Sequence, residues 1–122
     1  FLLGHAAMMV NEGLPAFVID QLLKEGVELR GKRVGILGMA FKAEIDDPRD
    51  SLSYKIRKIL QFHGAEVLCS DEFMRDASFV PKEKILSDCD MIIVGVPHKA
   101  YRTLAVPAKT RVVDLWGCIQ KI

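Results

Sequence analysis

The sequence predicts an α/β fold: a parallel sheet with helices on both faces, preceded by a helical segment. Two observations carry this. Four short apolar runs, Val34–Leu37, Glu66–Ser70, Asp90–Gly95 and Thr110–Asp114, are separated by helical or loop-forming stretches. Their apolar residues are continuous rather than alternating, as in strands buried on both sides.

The elements follow in order. Residues 2–25 read as helical, with Leu14, Phe17, Val18 and Leu22 at helical spacing and Gly26 as the stop. Gly13 and Pro15 interrupt this segment, so either two helices meet there or one helix kinks, because proline is tolerated in a first turn and costly within a helix. Leu29-Arg-Gly-Lys32 turns into the first strand. After a charged loop, Leu52, Ile56, Ile59 and Leu60 share one face of a helix that stops before Gly64. Asp47, Pro48 and Asp50 supply a cap, a first-turn proline and a first-turn carboxylate for it. A short helical stretch near Lys82–Leu86 precedes the third strand.

Composition narrows the function classes. Half of the 122 residues are apolar, enough for a sizeable core, and the formal net charge of +1 makes no global case for nucleic acid or an anionic membrane surface. No apolar stretch reaches the roughly 18 residues of a spanning helix. The opening, Phe-Leu-Leu-Gly-His-Ala-Ala-Met-Met-Val10, has neither a basic leader nor an initiator Met and reads as an internal piece of a longer chain. The Met8-Met9 pair reads as packing material. Cys69, Cys89 and Cys118 form no Cys-x-x-Cys and have no His at metal-ligand spacing, so reduced structural thiols in a cytoplasmic protein are expected.

The chemistry concentrates between the first strand and the following helix. Gly35-x-x-Gly38 after a strand invites a dinucleotide reading. The glycine spacing departs from Gly-x-Gly-x-x-Gly, however, with Phe41 at the third glycine position, and Asp71 lies too far beyond for the usual ribose acid. A degenerate Rossmann-like half that binds another nucleotide fits better. Phe41 and Lys42 offer a stacking surface beside a cation, suited to a nucleotide or sugar phosphate, although a lone Lys after a strand also serves as a solvated charge. Arg49 either contacts a ligand or pairs with Asp46, Asp47 or Asp50. Glu44 and the three aspartates lack a neighbouring His and read as structural. His98, after the third strand, caps the next turn or faces the crevice, and Arg111 reaches either the crevice or the opposite surface. Trp116 and Cys118 have no evident chemical task.

Gly38-Met-Ala-Phe-Lys42, followed by Asp46-Asp47-x-Arg49-x-Ser51, closely resembles the opening of the C-terminal domain of the UDP-glucose/GDP-mannose dehydrogenases. Val-Asn-Glu-Gly-Leu-Pro15 is similar to the end of that family's central helix. Ala65-Glu-Val-Leu-Cys-Ser-Asp71 is similar to its second strand, with Glu72 where the family often has Pro. Cys89-Asp-Met-Ile-Ile-Val94 and His98-x-x-Tyr101 correspond as well. The resemblance implies a division into residues 1–29, the end of a central dimerisation helix, and residues 30–122, a C-terminal UDP-sugar-binding domain. It implies an enzyme that oxidises the C6 alcohol of a nucleotide sugar, UDP- or GDP-linked, to a carboxylate with two NAD. Phe41, Lys42 and, by a weaker alignment, Arg111 would contact the nucleotide sugar, and Arg49 would reach NAD held mainly by an N-terminal domain. A homodimer and a place in polysaccharide precursor synthesis are implied too.

The departures matter. The family's catalytic cysteine lies in a Gly-rich segment not found here, and none of the three cysteines is in such a segment, so no catalytic residue is expected in this chain and the fragment alone is expected to be inactive. Competing expectations are a stand-alone nucleotide-binding or interaction module, which an encoded initiator Met immediately before Phe1 would favour, and a small NAD-dependent reductase, disfavoured by Phe41 and the missing fingerprint.

Overall fold

Val34 and Ile36 project to one side of the first strand, Gly35 and Leu37 to the other, and all are buried. A strand apolar on both sides must be covered twice, and the architecture follows from that. The computed structural model describes residues 13, 15–40 and 52–114. Helix α1 covers residues 15–24, followed by β1 (Arg33–Leu37), α2 (Leu52–Phe62), β2 (Glu66–Ser70), α3 (Lys82–Asp88), β3 (Met91–Val94), a 3₁₀ turn (Lys99–Thr103) and β4 (Arg111–Asp114). The four strands form one sheet in the order β2-β1-β3-β4, every pair parallel.

The predicted strands are all present, each within a residue of its expected limits at either end, and the α/β class with a parallel sheet holds. The helical stretch near Lys82–Leu86 extends to Asp88. Two details differ on α1 and α2. Phe17, expected on the inner face of the first helix, is 59% exposed, while Ile19 takes the inner position with Val18 and Leu22. On α2, Ile56 and Leu60 are buried as expected, but the polar Ser53 is buried with them. The expected caps Asp47, Pro48 and Asp50 lie outside the described residues, as do Met8, Met9, Trp116 and Cys118.

Each face of the sheet has its own core. On one, Ile19 and Leu22 of α1, Leu29, and Ile56 and Leu60 of α2 pack on Val34, Ile36, Met91 and Ile93. On the other, Ile85 and Cys89 join Leu37, Ile92, Val94 and Tyr101. The odd–even division of β1 and β3 between the two clusters is the period-2 geometry of a strand. α1 is thus part of the same core as the sheet.

Gly35 belongs to this packing and not to a phosphate loop. A β-carbon there would lie 2.3 Å from Ile85 Cγ2 and 3.0 Å from Cys89 Sγ, so α3 sits on β1 only because position 35 has no side chain. Gly35→Ala is expected to destabilise the fold by about 1–3 kcal/mol, the usual cost of overpacking. Urea unfolding midpoints of the two proteins check this; equal midpoints would mean that α3 shifts freely.

Candidate functional site

β1 lies between β2 and β3, so the chain leaves it in one direction and returns on the other side. In open α/β sheets ligands bind outside the carboxyl ends of the strands at such a switch point. Here those ends are Leu37–Gly38, Ser70–Asp71 and Val94–His98. Gly38 turns the chain off β1 with φ 95°, a conformation that favours glycine. A β-carbon at Gly38 would come within 2.6 Å of Val96 Cβ, so the turn is closed against the end of β3. The Gly38 N–H donates to the Ser70 carbonyl (2.8 Å), and the Gly95 N–H to the Leu37 carbonyl (2.8 Å). Ser53 Oγ, at the start of α2, donates to the Gly38 carbonyl at 2.6 Å.

Asp71 is the hub of this corner. Its Oδ2 accepts the N–H groups of Met39 (2.7 Å) and Ala40 (3.1 Å), and its Oδ1 those of Phe73 (2.8 Å) and Met74 (2.9 Å). His98 Nε2 lies 3.0 Å from Oδ2, and both side chains are fully buried. An ionised carboxylate only accepts, so Nε2 carries the proton of that bond. The His98 ring meets the Phe73 and Tyr101 rings edge-on, with centroids 4.9 and 5.4 Å away. Burial alone would raise the Asp71 carboxyl, but hydrogen bonds from His98 and from the Met74, Met39 and Phe73 amides outweigh it and hold it at about 2.

This arrangement answers the dinucleotide question. The amides that would cradle a pyrophosphate after β1 are those of Met39 and Ala40, and both are bound to Asp71. The acid that would hold a ribose is Asp71, whose carboxylate already has five partners. Among the described residues, the groups that a dinucleotide fingerprint would use are thus bonded to one another.

His98 is the residue whose role the sequence left open. It occupies the N-cap position of the 3₁₀ turn, but its side chain makes no capping bond; it runs inward to Asp71. The one usable sequence signal was an acid ending β2 and a His following β3, two strand ends that flank β1. Arg111 stands at the amino end of β4, opposite in register to Met91, and its guanidinium pairs with Glu25 beyond the end of α1. It is not brought together with Gly38, Asp71 and His98. Phe41, Lys42 and Arg49 lie outside the described residues, in the segment that leaves Ala40 and returns at Leu52.

Beside Asp71, a groove of about 600 Å³ runs along residues 70–83. Asp71, Glu72, Asp76 and Glu83 outnumber Arg75 and Lys82 in its wall, and Lys82 is paired with Glu72 at 3.0 Å. That balance does not favour a phosphate. Cys69 and Cys89 are free and buried. Burial raises both thiols, Cys89 to about 11, so neither is an activated nucleophile at neutral pH. Among the described residues no cluster of His, Cys, Asp or Glu suits a metal ion, and no helix is long and apolar enough to cross a membrane.

The Asp71 carboxyl, at about 2 against an ordinary 3.8, favours the folded state when ionised. Its contribution of about 2 kcal/mol is complete above about pH 5 and is lost as the pH falls through 2. The stability difference between the native chain and Asp71→Asn is therefore expected to shrink from pH 5 to pH 2. Urea titrations across that range test it; a constant difference would assign the loss to other carboxylates.

Residues 35–121 match the family model described as the UDP-glucose/GDP-mannose dehydrogenase family, UDP binding domain. The UDP-N-acetyl-D-mannosamine dehydrogenase of Methanocaldococcus jannaschii is 30% identical over 100 residues, which are 80% of this chain and 23% of that one. The UDP-glucose 6-dehydrogenase of Haloferax volcanii is 44% identical over 67 residues, 55% of this chain and 15% of that one. Among solved structures, a UDP-glucose dehydrogenase from Pyrobaculum islandicum superposes with a TM-score of 0.76 at 27% identity, covering 90% of this chain and 28% of that chain. The chain thus spans about a quarter or less of the length of the relatives it matches. With the parallel order β2-β1-β3-β4, the Gly38 turn and the match over residues 35–121, the chain belongs to the UDP-glucose/GDP-mannose dehydrogenase family, as its UDP-binding C-terminal domain.

Proposed function

We propose that this domain binds the nucleotide part of a UDP-sugar for a dehydrogenase that oxidises the sugar C6 alcohol to a carboxylate with two NAD. The observation that carries this reading is the switch point. β1 ends there between β2 and β3, and its chain passes through Ala40 directly into Phe41 and Lys42. Ligands of open α/β sheets bind at that place, and a ring next to a cation suits a base or a phosphate. UDP is preferred over GDP because the matched family description and the relatives quoted above name UDP.

In this reading Phe41 and Lys42 contact the nucleotide sugar, the Lys supplying charge. Arg49 reaches towards NAD held on another domain, a reading supported by the engagement of the Met39 and Ala40 amides with Asp71. Arg111 has a second role that its pairing with Glu25 favours, joining β4 to the region behind α1. NAD would supply the hydride acceptor, and the nucleophilic cysteine would belong to the rest of the parent polypeptide. The domain's share is positioning, and holding reactants in reacting geometry is worth several kcal/mol of barrier. The free thiols Cys69 and Cys89 support a cytoplasmic setting.

Residues 1–29 are proposed to continue a central helix with dimer contacts, a reading supported by the apolar side chains of Phe17 (59%) and Leu23 (37%) left exposed on α1. Sedimentation equilibrium of the parent enzyme is expected to show a dimer weakened by Phe17→Glu; an unchanged mass would remove α1 from the interface.

Lys42→Ala in the parent enzyme is expected to raise the UDP-sugar KM roughly tenfold, the size of one lost charge-assisted contact, and to lower kcat/KM with it. Calorimetric titration with UDP, UDP-glucose, GDP-mannose and NAD, repeated on Lys42→Ala, checks the site and the base. Kinetics and binding unchanged by the substitution would take Lys42 out of the site.

A further inference from the structure

We infer that Asp71 and His98 are positioning residues for UDP-sugar binding: together they lock the exit of β1 and so fix where the Phe41–Lys42 segment starts. The inference rests on the reading of Phe41 and Lys42 as substrate contacts.

Three independent strand ends meet in this one pair. Met39 and Ala40, the last two described residues before Phe41, both donate their N–H groups to a single oxygen, Asp71 Oδ2, at 2.7 and 3.1 Å. The other oxygen is tied to the Phe73 and Met74 amides beyond β2. His98, from the far side of β1, reaches Oδ2 at 3.0 Å. The carboxylate is therefore held from β2 and from β3, and the backbone leaving β1 hangs on it. Both side chains are fully buried. Burying an ionisable pair carries a desolvation cost, and these two do not serve packing alone, since an apolar pair of similar volume would fill the same space. What an apolar pair would not supply is an acceptor for two successive amides at the mouth of the crevice. Backbone placed to within a fraction of an ångström is what a cation needs to meet a phosphate repeatedly in the same geometry.

His98 is the separable half, because its removal leaves the carboxylate and its four amide bonds in place. In the parent enzyme, His98→Leu is expected to weaken UDP-glucose binding roughly tenfold, as a lost hydrogen bond to a charged group would. It is also expected to speed hydrogen exchange at the Met39 and Ala40 amides while leaving those of Ile36 and Ile93, inside the sheet, unchanged. His98→Gln, whose side-chain amide can still donate to Oδ2, is expected to restore both readouts substantially. A destabilised fold would move all four amides together, and that pattern would overturn the inference in favour of a general structural role. Asp71→Asn, which keeps the volume and loses the charge, gives the same two readouts should His98→Leu not fold. Lys42→Ala runs alongside as the control for the parent reading. If Lys42→Ala weakens binding and the His98 variant binds as the native enzyme does, the positioning role is wrong and the substrate site stands. If neither weakens binding, the substrate site itself is wrong and the positioning role falls with it.

Discussion

The carboxylate of Asp71 is the constraint on which the corner of this domain depends. It is a buried charge, and a buried charge is stable only where hydrogen bonds replace the water it has lost. The chain supplies four amide donors and one imidazole, drawn from the ends of β1, β2 and β3. Satisfying the charge and aligning the three strand ends are thus a single event. The same bonds commit to each other the two amides after β1 and the acid after β2, the groups that a dinucleotide fingerprint would use.

The two-sided core sets the frame for that corner. Because β1 and β3 are apolar on both faces, α1 and α2 cover one side and α3 the other, and the polar ends are forced to the rim. α3 approaches β1 closely because Gly35 has no side chain in the way. The glycines that resemble a phosphate-binding fingerprint are therefore packing and turning residues: one admits a helix, and the other, Gly38, takes the positive φ that carries the chain over Val96.

Much of this was legible in the residues. Continuous apolar runs bounded by charged or glycine-containing stretches give strands to within a residue at each end, because burial on both faces leaves little freedom in where a strand stops. The parallel sheet followed from the helices between the strands. What sequence reading did not reach were the contacts that depend on three-dimensional approach. His98 read as a turn cap or a crevice residue because nothing local shows that its side chain, four residues beyond β3, reaches Asp71 across the end of β1. Phe17 was placed inside because helical spacing alone does not say which members of the apolar run Phe17-Val18-Ile19 face the sheet. Ser53 was overlooked for a similar reason: its value lies in the Gly38 carbonyl across the corner and not in any neighbour along α2. Arg111 opened a strand whose amino end, by the sheet's direction, is turned away from the crevice.

The Ser53–Gly38 bond has a further consequence when set beside the Asp71 clamp. Residues 41–51 leave the sheet at Ala40, whose amide is held by Asp71, and rejoin it at α2, whose second residue, Ser53, is bonded back to Gly38. One end of the segment is thus tied to the Asp71 carboxylate and the other to the Gly38 carbonyl. The distance between the two points where that segment leaves and rejoins the domain is therefore a property of the frame, set by bonds of the sheet and α2.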